Sequence, residues 1–404
     1  KSVTEIGREL RAGKLLEGSV RKSGNRVRIT VQLIDTEGDA HLWSKSYDGA
    51  LDDVLETQVD IARKIAEALK LPSPGAESRT ENPEVYARCL QARSLWNKRT
   101  REANDQALVL FQDALRIDAG SARAMGGLAL CYSIAADYEW MDAKEGFNKA
   151  RLWARRAIEV DDSMAEGHLA LGTALWSDDW PGAEIELKKT LALNPSSADA
   201  HQWYGSILRG MGRLDEALDE AKRAYELDPM PPHRAWFLVV SYFFARRNDE
   251  SLEVCTRLTQ TYPGFPVGYL GQAVLTSLKG DRETAYQNLE AYRKLHNEIE
   301  YRSLQARIEA HLGNREEAQR LIDATSALVR ESSSPTARSD AYQLSYAYAL
   351  IGDRDRFFPF AEYLVERKLM GPGELRDPSY ENMVGDPRFA ALLQKLRNAY
   401  GISD

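Results

Sequence analysis

The sequence predicts a mainly α protein: an αα superhelix, or solenoid, preceded by a small N-terminal α/β segment in which three strands form an antiparallel meander with flanking helices. Three observations lead there. Helix stoppers recur in register, with Asn194-Pro195, Asp228-Pro229 and Tyr262-Pro263 each 34 residues apart. Small residues fill matching positions between them, at Gly205, Gly212, Ala217, Ala221 and Ala224. Near the start, Val27, Ile29, Val31 and Leu33 alternate with Arg28, Thr30 and Gln32, the period of a half-buried strand.

The N-terminal segment is expected over residues 1–70. Val3, Ile6 and Leu10 have helical spacing. Ser23-Gly24-Asn25 and Glu37-Gly38-Asp39 supply turns on either side of the middle strand, and Trp43 and Tyr47 mark the third. Leu51, Val54, Leu55, Ile61, Ala62, Ile65 and Leu69 then form the apolar stripe of a helix able to cover the sheet. The segment is small for an independent core and begins in mid-element, so the chain is expected to be a fragment whose start lies upstream. The stretches "EIGREL", "LLEGSVRKSGNRVRITVQLIDTEGDAHLWSKSYD" and "DVLETQVDIARKIAEAL" resemble the later half of the TolB amino-terminal-like domain. That resemblance implies a bacterial signalling protein in which the domain precedes helical repeats, with a kinase, nucleotide cyclase or winged-helix domain further upstream.

Residues 71–82, "LPSPGAESRTEN", have no periodicity and two prolines, which predicts a linker. Residues 83–370 are expected to hold about eight helix pairs. The stretch from Ala198 to Pro231 fits the 34-residue tetratricopeptide (TPR) template, with Gly205 and Ala217 small where paired helices meet and Pro229 ending the second helix. Gly280, Gly313 and Gly352 fall in turns equivalent to that of Gly212, and a longer insert lies near Tyr138 and Trp140. Residues 371–404 are expected to form a capping helix region that seals the last repeat.

Charge and chemistry narrow the function. Residues 1–70 carry 12 basic and 12 acidic side chains, so the net charge of −8 lies on the remainder. No basic footprint is concentrated anywhere, which argues against direct nucleic-acid binding. No window offers the ~18 apolar residues of a membrane span. Cys89, Cys131 and Cys255 are odd in number and lie in helical patterns, as small core residues do. The sequence has no zinc-protease helix, paired Cys-x-x-Cys, phosphate loop or nucleophile elbow, and no enzyme, cofactor or metal is expected. His168 and His201 sit at matching repeat positions and are read as replacing a bulky ring there, not as ligands.

In a tetratricopeptide superhelix the first helix of each pair lines the concave surface. Projection of the template places Trp176, Gln202, Ser206 and Arg209 there, then Trp236, Val240, Phe243 and Phe244, Leu270 and Val274, and Arg307, Tyr342 and Tyr346. The middle of this stripe is apolar, suited to an amphipathic helix or hydrophobic peptide, with Arg209 and Arg307 positioned for an acidic group. The competing reading of the aromatic residues is ordinary core packing. Gln202 and Ser206 stand where a chaperone-tail clamp would need Lys and Asn, which argues against that ligand. The expected function is therefore a non-catalytic protein–protein interaction scaffold, the regulatory or sensory part of a bacterial signalling protein with an upstream effector domain. The alternative is a small-ligand or glycan-binding envelope protein using the α/β segment. A cytoplasmic location is preferred, an extracytoplasmic tether being the other option.

Overall fold

The computed structural model describes residues 3–5, 13–23, 26–36, 38, 40–50, 57, 60–61, 64–65, 67–69, 82–295, 298–331, 337–366 and 370–402. The chain divides into two compact units, Lys1–Gln91 with Leu110–Ser121 and Ala92–Val109 with Ala122–Asp404.

In the first unit, β1 (Lys14–Ser23), β2 (Arg26–Asp35) and β3 (Ala40–Ala50) form an antiparallel sheet in the order β1-β2-β3. Val27, Val31 and Leu33 of the alternating strand are buried. The register shifts between Leu33 and Ile34. Both neighbours are consequently buried, although a regular strand would send them to opposite faces. Asp60, in helical conformation, accepts hydrogen bonds from Lys45 Nζ at 2.8 Å and Tyr47 OH at 2.9 Å, tying its helix to β3. The expected positions Ile6, Leu10, Gly24, Asn25, Glu37, Asp39, Leu51, Val54, Leu55 and Ala62, and the linker over 71–81, lie outside the described residues.

The unit boundary runs through α1 (Pro83–Trp96) and α2 (Arg101–Ile117). The second unit continues with α3 (Ala122–Asp137), α4 (Ala143–Val160), α5 (Ala165–Leu175), α6 (Trp180–Leu193), α7 (Ala198–Met211) and α8 (Leu214–Leu227). It goes on through α9 (Pro232–Phe244), α10 (Asn248–Thr261), α11 (Pro266–Leu278), α12 (Arg282–Arg293), α13 (Glu298–His311), α14 (Arg315–Glu331), α15 (Ala337–Leu350) and α16 (Arg354–Glu366). From α3 to α16 each helix packs on the next, and first helices also pack on the first helices of neighbouring pairs, as α3 on α5 and α13 on α15. This is a serial stack, in which a helix pair buries its apolar face against its neighbours, as in the cluster that runs from Leu218 to Ile308.

Local chemistry sets the boundaries. Asp142, Asp179, Ser197 and Asp281 are N-caps whose side chains accept from backbone N–H groups in the first turn. Asn194, Asp228 and Tyr262 are C-caps, each followed by the proline that forbids another turn. Between paired helices the chain passes through a left-handed residue: Gly212, Gly280, Gly313 and Gly352 have φ of 83°, 75°, 78° and 73°. Arg99, Glu139 and Arg246 take the same conformation in other pairs, with φ of 54°, 56° and 61°. A side chain there costs about 1–2 kcal/mol. At Gly205 a Cβ would stand 2.9 Å from Phe237 and 3.1 Å from Glu220, so three helices converge on that missing side chain.

His168, His201 and Arg234 occupy one repeat position, 33 residues apart. His168 Nδ1 lies 2.6 Å from Glu186 and its Nε2 3.1 Å from the Asp162 carbonyl. His201 repeats the pattern with Glu220 at 2.5 Å and the Pro195 carbonyl at 3.0 Å, and Arg234 Nε reaches Asp228 at 3.1 Å. The rings thus act as polar staples from a first helix to its neighbours, a role that a bulky apolar ring could not fill.

The tail packs on the last pair and also reaches beyond it. Two 3-10 turns (Glu374–Arg376 and Pro378–Met383) and α17 (Pro387–Ala399) follow α16, on which α17 packs. The same tail also returns to α6 and α7. Trp180 N donates to Tyr400 O at 3.3 Å, and their rings lie 4.3 Å apart. Met370, Tyr380 and Met383 are fully buried. A strap crossing the stack has no 34-residue signature, so the repeat pattern cannot announce it.

Candidate interaction groove

Ten of the thirteen residues projected onto the inner face, Arg209, Trp236, Val240, Phe243, Phe244, Leu270, Val274, Arg307, Tyr342 and Tyr346, line one cavity of about 620 Å³. The spacing of Trp236, Val240 and Phe243 places them along one stripe of α9. Leu270 and Val274 do the same on α11. Phe243, Phe244, Leu270, Val274 and Tyr346 are buried, so they serve chiefly as packed wall. Trp236, Val240 and Tyr342 are half-buried and leave apolar surface for contact.

Three projected residues lie elsewhere. Trp176 stacks on Trp180 with ring centroids 5.3 Å apart and borders a second cavity with Arg151 and Tyr400. Ser206 Oγ donates to the Gln202 carbonyl at 3.0 Å, and Gln202 Oε1 accepts from Arg234 at 3.4 Å. Their polar groups are spent on α7 and its neighbour.

Arg209 and Arg307 also require correction as receivers of an acidic partner. Arg209 Nη1 donates to Glu374 Oε1 at 3.1 Å, and its guanidinium lies 5.2 Å from the centre of the Phe244 ring. Arg307, 4% exposed, donates to Asp377 at 3.4 Å, Ser379 at 3.3 Å and Gln343 at 3.3 Å, and stacks 4.1 Å over Tyr346. Burial, joined by the nearby Asp377 and Tyr380, pushes the Tyr346 phenol well above its ordinary value and keeps it neutral. The acidic groups expected from a partner come from the strap of the same chain, because a desolvated guanidinium demands a carboxylate wherever one can be supplied.

Sequence reasoning missed two walls. Asp137, Tyr138 and Trp140 enter the cavity from the end of α3 and the turn after it, where the longer insert was the available signal. Glu374 and Asp377 enter from the strap and give no periodic signal.

The described residues offer little reactive chemistry. No group of three or more His, Cys, Asp or Glu is placed to hold a metal among them. Burial raises the Cys131 thiol and pushes Cys255 up to about 12, and Cys255 Sγ donates to the Gly268 carbonyl at 3.0 Å. No described helix is long and apolar enough to cross a membrane.

No family model matches the chain. Over 180 residues it is 33% identical to a Rhizobium meliloti protein named adenylate cyclase 3, covering 43% of this chain and 31% of that protein. Over 326 residues it is 25% identical to the Salmonella typhimurium transcriptional regulator HilA, covering 77% of this chain and 56% of HilA. The chain thus spans between about a third and about half of the length of these relatives. Among solved structures, the TPR protein YrrB, described as having an unusual peptide-binding site, is 19% identical with a TM-score of 0.35, covering 46% of this chain and 92% of that one. In fold, the chain is a mainly α solenoid of tetratricopeptide-like helix pairs with a three-stranded antiparallel sheet at its N-terminal end.

Proposed function

We propose that the chain is a non-catalytic protein-interaction module and the regulatory or sensory part of a larger bacterial signalling protein. The observation that carries this reading is the convergence of ten inner-face residues on one cavity, whose half-buried Trp236, Val240 and Tyr342 offer a largely apolar contact surface. Two further points support the signalling context. The relatives are named as a cyclase and a transcriptional regulator, and residues 3–70 resemble the TolB amino-terminal-like domain. In this reading a partner's apolar anchor enters beside Trp236, and binding biases an upstream effector by a coupling on the order of 1–3 kcal/mol.

The test uses the full-length protein. Trp236→Ala removes the anchor wall, and deletion of residues 83–404 removes the receptor altogether. Both should abolish the partner's effect on effector output while basal output persists. Output that responds to the partner equally in all three proteins would refute the proposal.

A further inference from the structure

Where α1 turns into α2, the left-handed position that is glycine in four of the pairs is Arg99, with φ 54°. Its guanidinium lies 3.6 Å from the centre of the Trp96 ring, and Arg93 approaches the same ring at 4.3 Å. Arg93 and Arg234 both bind the buried carboxylate of Asp199, and Arg234 also holds Asp228. Arg99 does not share in this pairing: its side chain makes no hydrogen bond or ion pair among the described residues, and its Nη1 is buried without a partner. His233, 8% exposed, stands within range of the charges of Arg99 and Arg234, and its Nε2 is likewise unpartnered.

Burial pulls the Arg99 guanidinium down from its ordinary value, against the partial opposition of Tyr138 and Asp199. Asp199, already held by Arg93 and Arg234, acts on Arg99 only at longer range, so Arg99 has no ion pair of its own among the described residues. A strained backbone, a buried donor without an acceptor and a guanidinium without an ion pair of its own coincide on one residue. Glycine, which four of the other turns use, would relieve the strain and remove the charge.

We propose that Arg99, flanked by Arg93 and His233, is an oxyanion-binding site that takes the carboxylate or phosphate group of a small ligand. The planar guanidinium matches either oxyanion bidentately, and stacking on Trp96 fixes its plane. Neutral His233 supplies a second donor through whichever ring nitrogen carries the proton.

The full 404-residue chain is titrated separately with inorganic phosphate and with acetate at constant ionic strength, reading the melting temperature and the heat of binding. At least one anion should bind saturably and raise the melting temperature. A response to phosphate alone marks a phosphate-class ligand, to acetate alone a carboxylate, and to both a general oxyanion site. Arg99→Gln should weaken binding about tenfold or more. Arg99→Gly separates recognition from folding: it supplies the residue used in four of the other turns, so it should fold, melt no lower than the parent without anion, and lose the anion-induced rise. Absence of saturable binding by either anion, or a rise retained in Arg99→Gly, overturns the proposal.

Discussion

Arg209 and Glu374 are 165 residues apart in sequence, and Nη1 of one lies 3.1 Å from Oε1 of the other. Both side chains are largely buried, at 15% and 13% exposure. The pair fixes the strap against the C-terminal end of α7, so that the inner face of the repeat stack is bounded by the chain itself.

Removing one member strands the other. Glu374→Ala should cost about 2–3 kcal/mol, because a desolvated guanidinium is left without its carboxylate. The Arg209→Ala, Glu374→Ala double variant should be less destabilised than the sum of the singles. Chemical denaturation midpoints across the cycle measure this coupling, and strictly additive effects would show that the contact contributes nothing.

Gly373 tests the strap by shape alone. A Cβ there would fall 2.1 Å from the Arg209 carbonyl oxygen and 2.7 Å from Gly210 Cα, both backbone atoms that cannot rotate away. Gly373→Ala should therefore destabilise by about 1–3 kcal/mol. Amide exchange should rise over residues 370–383 while α11 and α12 keep their protection, a pattern that hydrogen-exchange mass spectrometry reads directly.

His233 predicts an acid limb. Burial first, then the charges of Arg99 and Arg234, lower its pKa to about 3 against the partial opposition of Asp199. The unfolded chain takes up this proton near pH 6.5 and the folded chain does not, so stability is complete above ~6.5 and declines as pH falls towards 3. His233→Gln should flatten that decline. His201 acts in the opposite sense: burial lowers its pKa, but hydrogen bonds to Glu220 and the Pro195 carbonyl outweigh this and raise it. Its contribution is full below ~6.5 and fades as pH rises through the folded value. Urea midpoints between pH 4 and 8 for the parent and His233→Gln check both signs, in buffers near these values.

The helix pairs were legible because each obeys a local rule that recurs: proline after the C-cap at 195, 229 and 263, glycine at the left-handed turn of Gly212, Gly280, Gly313 and Gly352. The clustering of Trp236, Val240 and Phe243 was legible for the same reason, since a repeat template fixes which stripe of a first helix turns inward. The partner of Arg209 was not legible. Glu374 is brought to it by a non-repeating segment, and nothing local to either residue records the pairing. Arg99 was hidden differently: it departs from the glycine rule, so a search for the rule passes over it.

The interaction reading is tested most directly by placing a photo-crosslinking amino acid at Val240 of the full-length protein and irradiating living cells, with the same group at Ile185, which is 67% exposed on α6, as the control. A discrete protein adduct should form from position 240, be absent from position 185, and disappear when Trp236→Ala is added. No adduct at 240, or the same adducts from both positions, would contradict the groove as the place where this protein meets its partner.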